Sequence, residues 1–185
     1  MTSDERSGAA PSTVANPQQR AAMLRVDQAG EYGATRIYAG QLAVLARGSA
    51  AAHQIARMAA QEERHLDRFN QLMTARRVRP TLLQPIWNVA GFALGAATAL
   101  ISEKAAMACT DAVETEIDQH YTDQLAELGD SEPELAADIA EVQAEELEHR
   151  ATARAYGAQD AIAYPLLTAA IRAGCRIAIG LSKRI

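Results

Sequence analysis

Glu62-Glu63-Arg64-His65 and Glu146-Leu147-Glu148-His149 are two copies of one pattern, a Glu followed three residues later by a His. The residues leading into them match too. Ile55, Met58, Glu62 and His65 map, by a constant shift, onto Ile139, Val142, Glu146 and His149. A second series spaced by seven, Leu24, Glu31, Tyr38 and Leu45, maps in the same way onto Met107, Glu114, Tyr121 and Leu128. Positions seven apart share nearly one helix face, so Glu31 and Glu114 stand in stripes otherwise made of Leu, Met and Tyr and should point inward.

Working outward, Asn16-Pro17 reads as a cap and first turn of a helix reaching about Arg47 and stopped by Gly48. Ser49 can cap a second helix to about Arg77, where Pro80 halts it. Residues 80–102 carry no charge. A fourth helix is expected from Ser102 to Leu128, closed by Gly129, and a fifth to Gly157 opened by a capping box of Ser131 and Glu134. Beyond Pro165, the positions Leu167, Ile171, Gly174, Ile177 and Leu181 recur at helical spacing opposite Arg172 and Arg176, giving a sixth, amphipathic helix. The reading is all-α: a ferritin-like four-helix bundle of two pseudo-symmetric hairpins, joined by a long crossover helix and followed by a C-terminal amphipathic helix. Residues 1–15 are expected to be a flexible tail, and 16–185 a single domain.

Composition agrees. Of 185 residues, 49% are hydrophobic, 4% aromatic and 22% charged, which excludes disorder, collagen and a disulfide scaffold and favours helix. The net charge of -5 gives no electrostatic reason to expect nucleic acid. Residues 161–185, by contrast, hold Arg172, Arg176, Lys183 and Arg184 and no acid, pointing to an anionic membrane surface or, with equal weight, to a lid packed on the bundle. Cys109 and Cys175 have no CxxC spacing and read as inert core residues, and the polar N-terminus has no signal-peptide pattern, so a reducing, cytoplasmic-side setting is expected.

Four inward carboxylates need compensation, because an unpaired one in a core costs several kcal/mol. A Glu and a His three apart are offset by about 60 degrees and one turn, so both can hold one ion. Four carboxylates with two neutral imidazoles balance two divalent cations. Oxygen donors without thiolate favour iron or manganese over structural zinc. The candidate metal ligands are thus Glu31, Glu62, His65, Glu114, Glu146 and His149. Glu63, Glu145 and Glu148 read as surface charges, and His53 as a surface histidine. Asp27 and Asp111 are either partners of the ligands or exposed, and His120 with Tyr121 is either ordinary core and surface or an electron or proton path.

Several segments resemble the demethoxyubiquinone hydroxylases of ubiquinone biosynthesis. They are Arg25-Val-Asp-Gln-Ala-Gly-Glu-Tyr-Gly-Ala34, Arg77-Val-Arg-Pro-Thr81, Trp87-Asn88 with Gly91-Phe-Ala-Leu-Gly95, Ala106-Met-Ala-Cys-Thr110, Glu145-Glu-Leu-Glu-His149 and Ala173-Gly-Cys-Arg176. The resemblance covers about residues 20–185, departing at Gln28, where the family often has His. It implies that Glu31, Glu62 and His65 hold one iron and Glu114, Glu146 and His149 the other, with Glu62 and Glu146 bridging. It also implies O2-dependent hydroxylation of a polyprenyl quinol, with NADH or another reductant supplying electrons. The chain has no Rossmann fingerprint for that nucleotide. A peripheral position on the cell membrane is expected, through the C-terminal helix or the charge-free crossover, with a homo-oligomer or a complex of ubiquinone-biosynthesis proteins left open. The rival readings are a ferroxidase or iron-storage protein, which has little use for a membrane-facing helix, and a metal-free helical adaptor.

Overall fold

Asn16 opens the first helix, its side chain accepting from the Gln18 and Gln19 amides while Gln19 Oε1 accepts from the Asn16 amide. The computed structural model describes residues 15–184. The tail expected over 1–15 lies outside them except for Ala15, which is buried. Six α-helices follow in order: α1 Pro17–Val44, α2 Ala50–Ala75, α3 Gln84–Ile101, α4 Glu103–Leu128, α5 Pro133–Ala155 and α6 Tyr164–Ser182. No strand occurs among the described residues. Ser49 and Ser102 cap α2 and α4 through their hydroxyls.

The Ser131/Glu134 capping box does not form. Residues 129–131 make a 3-10 turn, and Ser131 Oγ donates instead to the Leu128 carbonyl. Pro133 takes the first helical position, where its missing N–H costs nothing, so Glu132 rather than Ser131 precedes the helix.

α1 with α2 and α4 with α5 form the two hairpins of the bundle, and the crossover runs through α3. The α2–α5 seam is antiparallel, joined by Arg76 Nη1 to Glu132 Oε2 at 2.9 Å at one end and by Arg68 to Asp138 further along. α3 lies against α1 backbone to backbone. A Cβ at Gly95 would sit 1.9 Å from the Ile37 carbonyl oxygen, and one at Gly40 would sit 2.1 Å from that of Phe92. Only glycine permits this approach.

α6 packs on α4 and is held differently. Glu116 on α4 is buried, and its Oε1 takes Arg172 Nε at 2.5 Å and Arg176 Nη1 at 2.9 Å. Tyr164 OH donates to Asp111, and Trp87 Nε1 on α3 donates to Ser182 Oγ at 3.1 Å. Of the two readings of the C-terminal helix, a membrane-facing surface and a lid on the bundle, this packing shows the lid. Arg172 and Arg176 are half-exposed, and both are paired with a buried carboxylate that would be costly to leave unpaired. The outward side of α6 is apolar, with Ile162 just before the helix and Leu166 and Ile177 on it exposed, and α3 likewise exposes Val89 and Leu100.

Candidate metal centre

The middle turns of the inner helices bring the six candidate ligands together. Glu31 comes from α1, Glu62 and His65 from α2, Glu114 from α4, and Glu146 and His149 from α5, and all six are buried. Donor atoms of Glu31, Glu62, His65 and Glu146 lie within 4.8 Å of one another, as do those of Glu62, Glu114, Glu146 and His149. Glu62 and Glu146 belong to both groups. The arrangement is therefore two adjoining four-residue sites sharing two carboxylates.

The inner nitrogen of each imidazole is Nδ1. His65 Nδ1 is 3.1 Å from Glu146 and 3.4 Å from Glu31, while His149 Nδ1 is 2.9 Å from Glu146 and 3.0 Å from Glu62. One ring nitrogen can satisfy only one of these oxygens. Both Glu62 oxygens, Glu31 Oε2 and Glu114 Oε2 are buried without a hydrogen-bond partner. Orphaned carboxylate oxygens converging at two shared positions fit a pair of divalent cations, which would supply the missing partners.

Electrostatics carry the same message. Burial, with the neighbouring carboxylates, pushes Glu62 and Glu114 well above the usual carboxylate range. Glu31 is also raised by burial, partly offset by the neighbouring His65 imidazole. Burial acts in the same direction on Glu146, but hydrogen bonds from His149 and His65 overcome it and hold this carboxyl low. Burial would lower His65, yet its bonds to Glu146 and Glu31 raise it to about 10. Positive charge inside the cluster would therefore be favoured.

The supporting side chains cross from one hairpin to the other. Tyr38 OH on α1 donates to Glu114 on α4 at 3.0 Å, and Tyr121 OH on α4 donates to Glu31 on α1. His120 does not reach the cluster. Its ring lies 5.8 Å from that of Tyr121, and its Nε2 lies 3.0 Å from Asp27, which also accepts from Gln124. Asp27 and Asp111 are both buried and paired, Asp111 with Arg154 and Tyr164. His53 is exposed, as expected. Burial pushes the Cys109 and Cys175 thiols up to about 12, which suits inert packing residues.

Glu145 is not a plain surface charge: its Oε2 lies 3.1 Å from His65 Nε2. Gln61 similarly places Oε1 3.2 Å from His149 Nε2. The repeat contains the signal, since Gln61 and Glu145 each immediately precede the Glu of a Glu-x-x-His.

Beside the cluster, α1, α3, α4 and α6 enclose a cavity of about 580 Å³ with no charged residue in its lining. Gly30, Ala34, Val113 and Ile117 form its inner wall, and Gly30 and Val113 adjoin Glu31 and Glu114 in the chain. The site thus pairs a charged, buried cluster with an apolar chamber.

Known proteins share this chain's sequence at length. A Rhodospirillum rubrum protein called 3-demethoxyubiquinol 3-hydroxylase is 59% identical, over 88% of this chain and 76% of its own. A Mus musculus protein called NADPH-dependent 3-demethoxyubiquinone 3-hydroxylase, mitochondrial, is 53% identical with the same coverage. A Saccharomyces cerevisiae protein called 5-demethoxyubiquinone hydroxylase, mitochondrial, is 44% identical over 88% of this chain and 77% of its own. The family described as ubiquinone biosynthesis protein COQ7 matches residues 18–182, a span that takes in the six helices but for Pro17 at the start of α1, and every residue of the cluster. With that match over nearly the whole chain, and with such relatives, this chain belongs to the ubiquinone biosynthesis COQ7 family.

Proposed function

We infer that this chain hydroxylates the ring of a demethoxyubiquinol in ubiquinone biosynthesis, using O2 and two iron ions held by Glu31, Glu62, His65, Glu114, Glu146 and His149. The observation that carries the reading is the set of buried, partnerless carboxylate oxygens set beside an uncharged cavity. When bound, the irons would supply the reduction of O2 that ring oxygenation requires. One oxygen atom goes to the ring and the other to water, so two electrons are drawn from NADH or another reductant.

The chain's own residues prepare the site. Tyr38 and Tyr121 fix the Glu114 and Glu31 carboxylates, and the surrounding Leu, Met and Ala side chains keep water away. Tyr121, with His120 and Asp27 behind it, forms the path for a proton or electron from near the surface, since His120 is only partly buried. The cavity accepts the apolar quinol. Its outer walls, α3 and α6, carry exposed apolar side chains into the interfacial layer of the membrane, so the enzyme sits peripherally on its cytoplasmic side. Each helix is long and apolar enough to cross a bilayer, but both lie along the bundle with most of their residues unburied, which suits an interfacial position. A ferroxidase would need neither these walls nor this chamber.

Quinone analysis of cells lacking the protein is the test. Demethoxyubiquinone should accumulate at the expense of ubiquinone. An unchanged quinone profile would overturn the assignment.

A further inference from the structure

Gln61 and Glu145 occupy equivalent places in the repeat, and the structure crosses them over. Glu145 on α5 sits at 3.1 Å from Nε2 of His65 on α2, whereas Gln61 on α2 sits at 3.2 Å from Nε2 of His149 on α5. Gln61 Nε2 donates to the same Glu145 oxygen at 2.9 Å. That bond settles the amide's orientation, because the flipped amide would set its NH2 against the His149 N–H and its carbonyl against a carboxylate. Both histidines point Nδ1 at the central carboxylates, so Nε2 carries the proton whenever Nδ1 binds a cation. The tyrosines behind Glu31 and Glu114 are the same on both sides. The histidines are not, since one gives its outer N–H to an anion and the other to a neutral amide.

Resting on the metal reading above, we propose that Gln61 and Glu145 make the two ion positions unequal, with the Glu31/Glu62/His65 position binding its cation more tightly. An anion at the outer N–H draws the proton toward itself and leaves more electron density on Nδ1, which strengthens that nitrogen as a donor. A neutral amide does this far less. Partners of this kind typically change metal affinity by about 10–100-fold. Arg64, 3.6 Å from Glu145 and 63% exposed, lies too far out in solvent to cancel the carboxylate's effect. Gln61 and Glu145 are positioning residues, since they act only through the histidines.

Crystals of the purified protein loaded with one equivalent of Mn(II) locate the ion by anomalous scattering. Manganese should favour the Glu31/Glu62/His65 position by about tenfold or more. The exchange Q61E/E145Q moves the carboxylate from the outer nitrogen of His65 to that of His149 while leaving one carboxylate and one amide at the seam, and with helical circular dichroism retained it should move the manganese to the Glu114/Glu146/His149 position. E145Q alone should even out the two occupancies. Equal occupancy in the wild type, or a preference that the exchange leaves in place, overturns the inequality while the metal reading stands. No manganese at either position overturns the metal reading and this proposal with it.

Discussion

In the inner helices, Glu31, Glu62, Glu114 and Glu146 are buried among Leu, Ile, Met and Ala, while on the outer helices Val89, Leu100, Leu166 and Ile177 are exposed. Charge lies where apolar residues belong, and apolar residues lie where charge belongs. Each inversion would be costly in a protein that had only water for company. On the function proposed above, both would be relieved by partners that the sequence does not encode, cations inside and a membrane outside. The comparison also separates two kinds of adhesion. α3 is fixed to α1 by glycine-mediated backbone contact, and α6 is tethered to α4 by ion pairs on Glu116.

The largest effect should come from breaking the inner inversion. Glu114→Ala removes one carboxylate of the cluster, frees Tyr38 OH and takes away a close neighbour of Glu146. The variant should keep its helical circular dichroism and lose hydroxylation by at least about 100-fold, because a ligand matters no less than the groups that merely orient it. Turnover near wild type with the fold intact would remove Glu114 from the site.

This inner half was the more legible part of the sequence. Heptad spacing and an internal repeat are local signals, and they sufficed to pick the six side chains that the fold brings together. What escaped was decided by long-range partners. Arg172 and Arg176 look like a cationic face until Glu116, far away in sequence, is seen to claim both. Glu145 looks like any helix-surface acid until α2 brings His65 against it. Ser131 fits a capping box by spacing, but Pro133 fixes the helix start two residues later. The apolar crossover could be read as a covering helix, whereas the meaning of Gly91 and Gly95 as a contact with α1 requires the packing itself.

A smaller effect should follow from breaking the outer inversion. An apolar side chain moved out of water contributes about 1.5–3 kcal/mol, and about 1.4 kcal/mol is tenfold in affinity. Leu166→Asp with Ile177→Asp should therefore weaken co-sedimentation with anionic vesicles by about tenfold or more. Arg172→Gln with Arg176→Gln should change vesicle binding much less. It should instead lower the thermal midpoint by a few degrees, about 1 kcal/mol corresponding to about 2–4 °C in a chain of this size, because Glu116 loses both cations. If the arginine pair proves the stronger determinant of vesicle binding, α6 meets the membrane through charge, and the reading of its apolar face is wrong.

The central claim is that the buried carboxylates exist to hold two metal ions, and anaerobic titration of the metal-free protein with Fe(II), following bound iron and released protons together, tests it most directly. Burial raises Glu62 and Glu114, and His65 stands near 10, so these groups hold their protons more firmly than usual and the metal must displace them. Glu146 is held low and has none to give. The account predicts two Fe(II) per chain, protons released on binding, and affinity that rises with pH and falls as these groups are protonated. Fewer than two ions, or two that bind without releasing protons and equally well to Glu114→Ala, would contradict it.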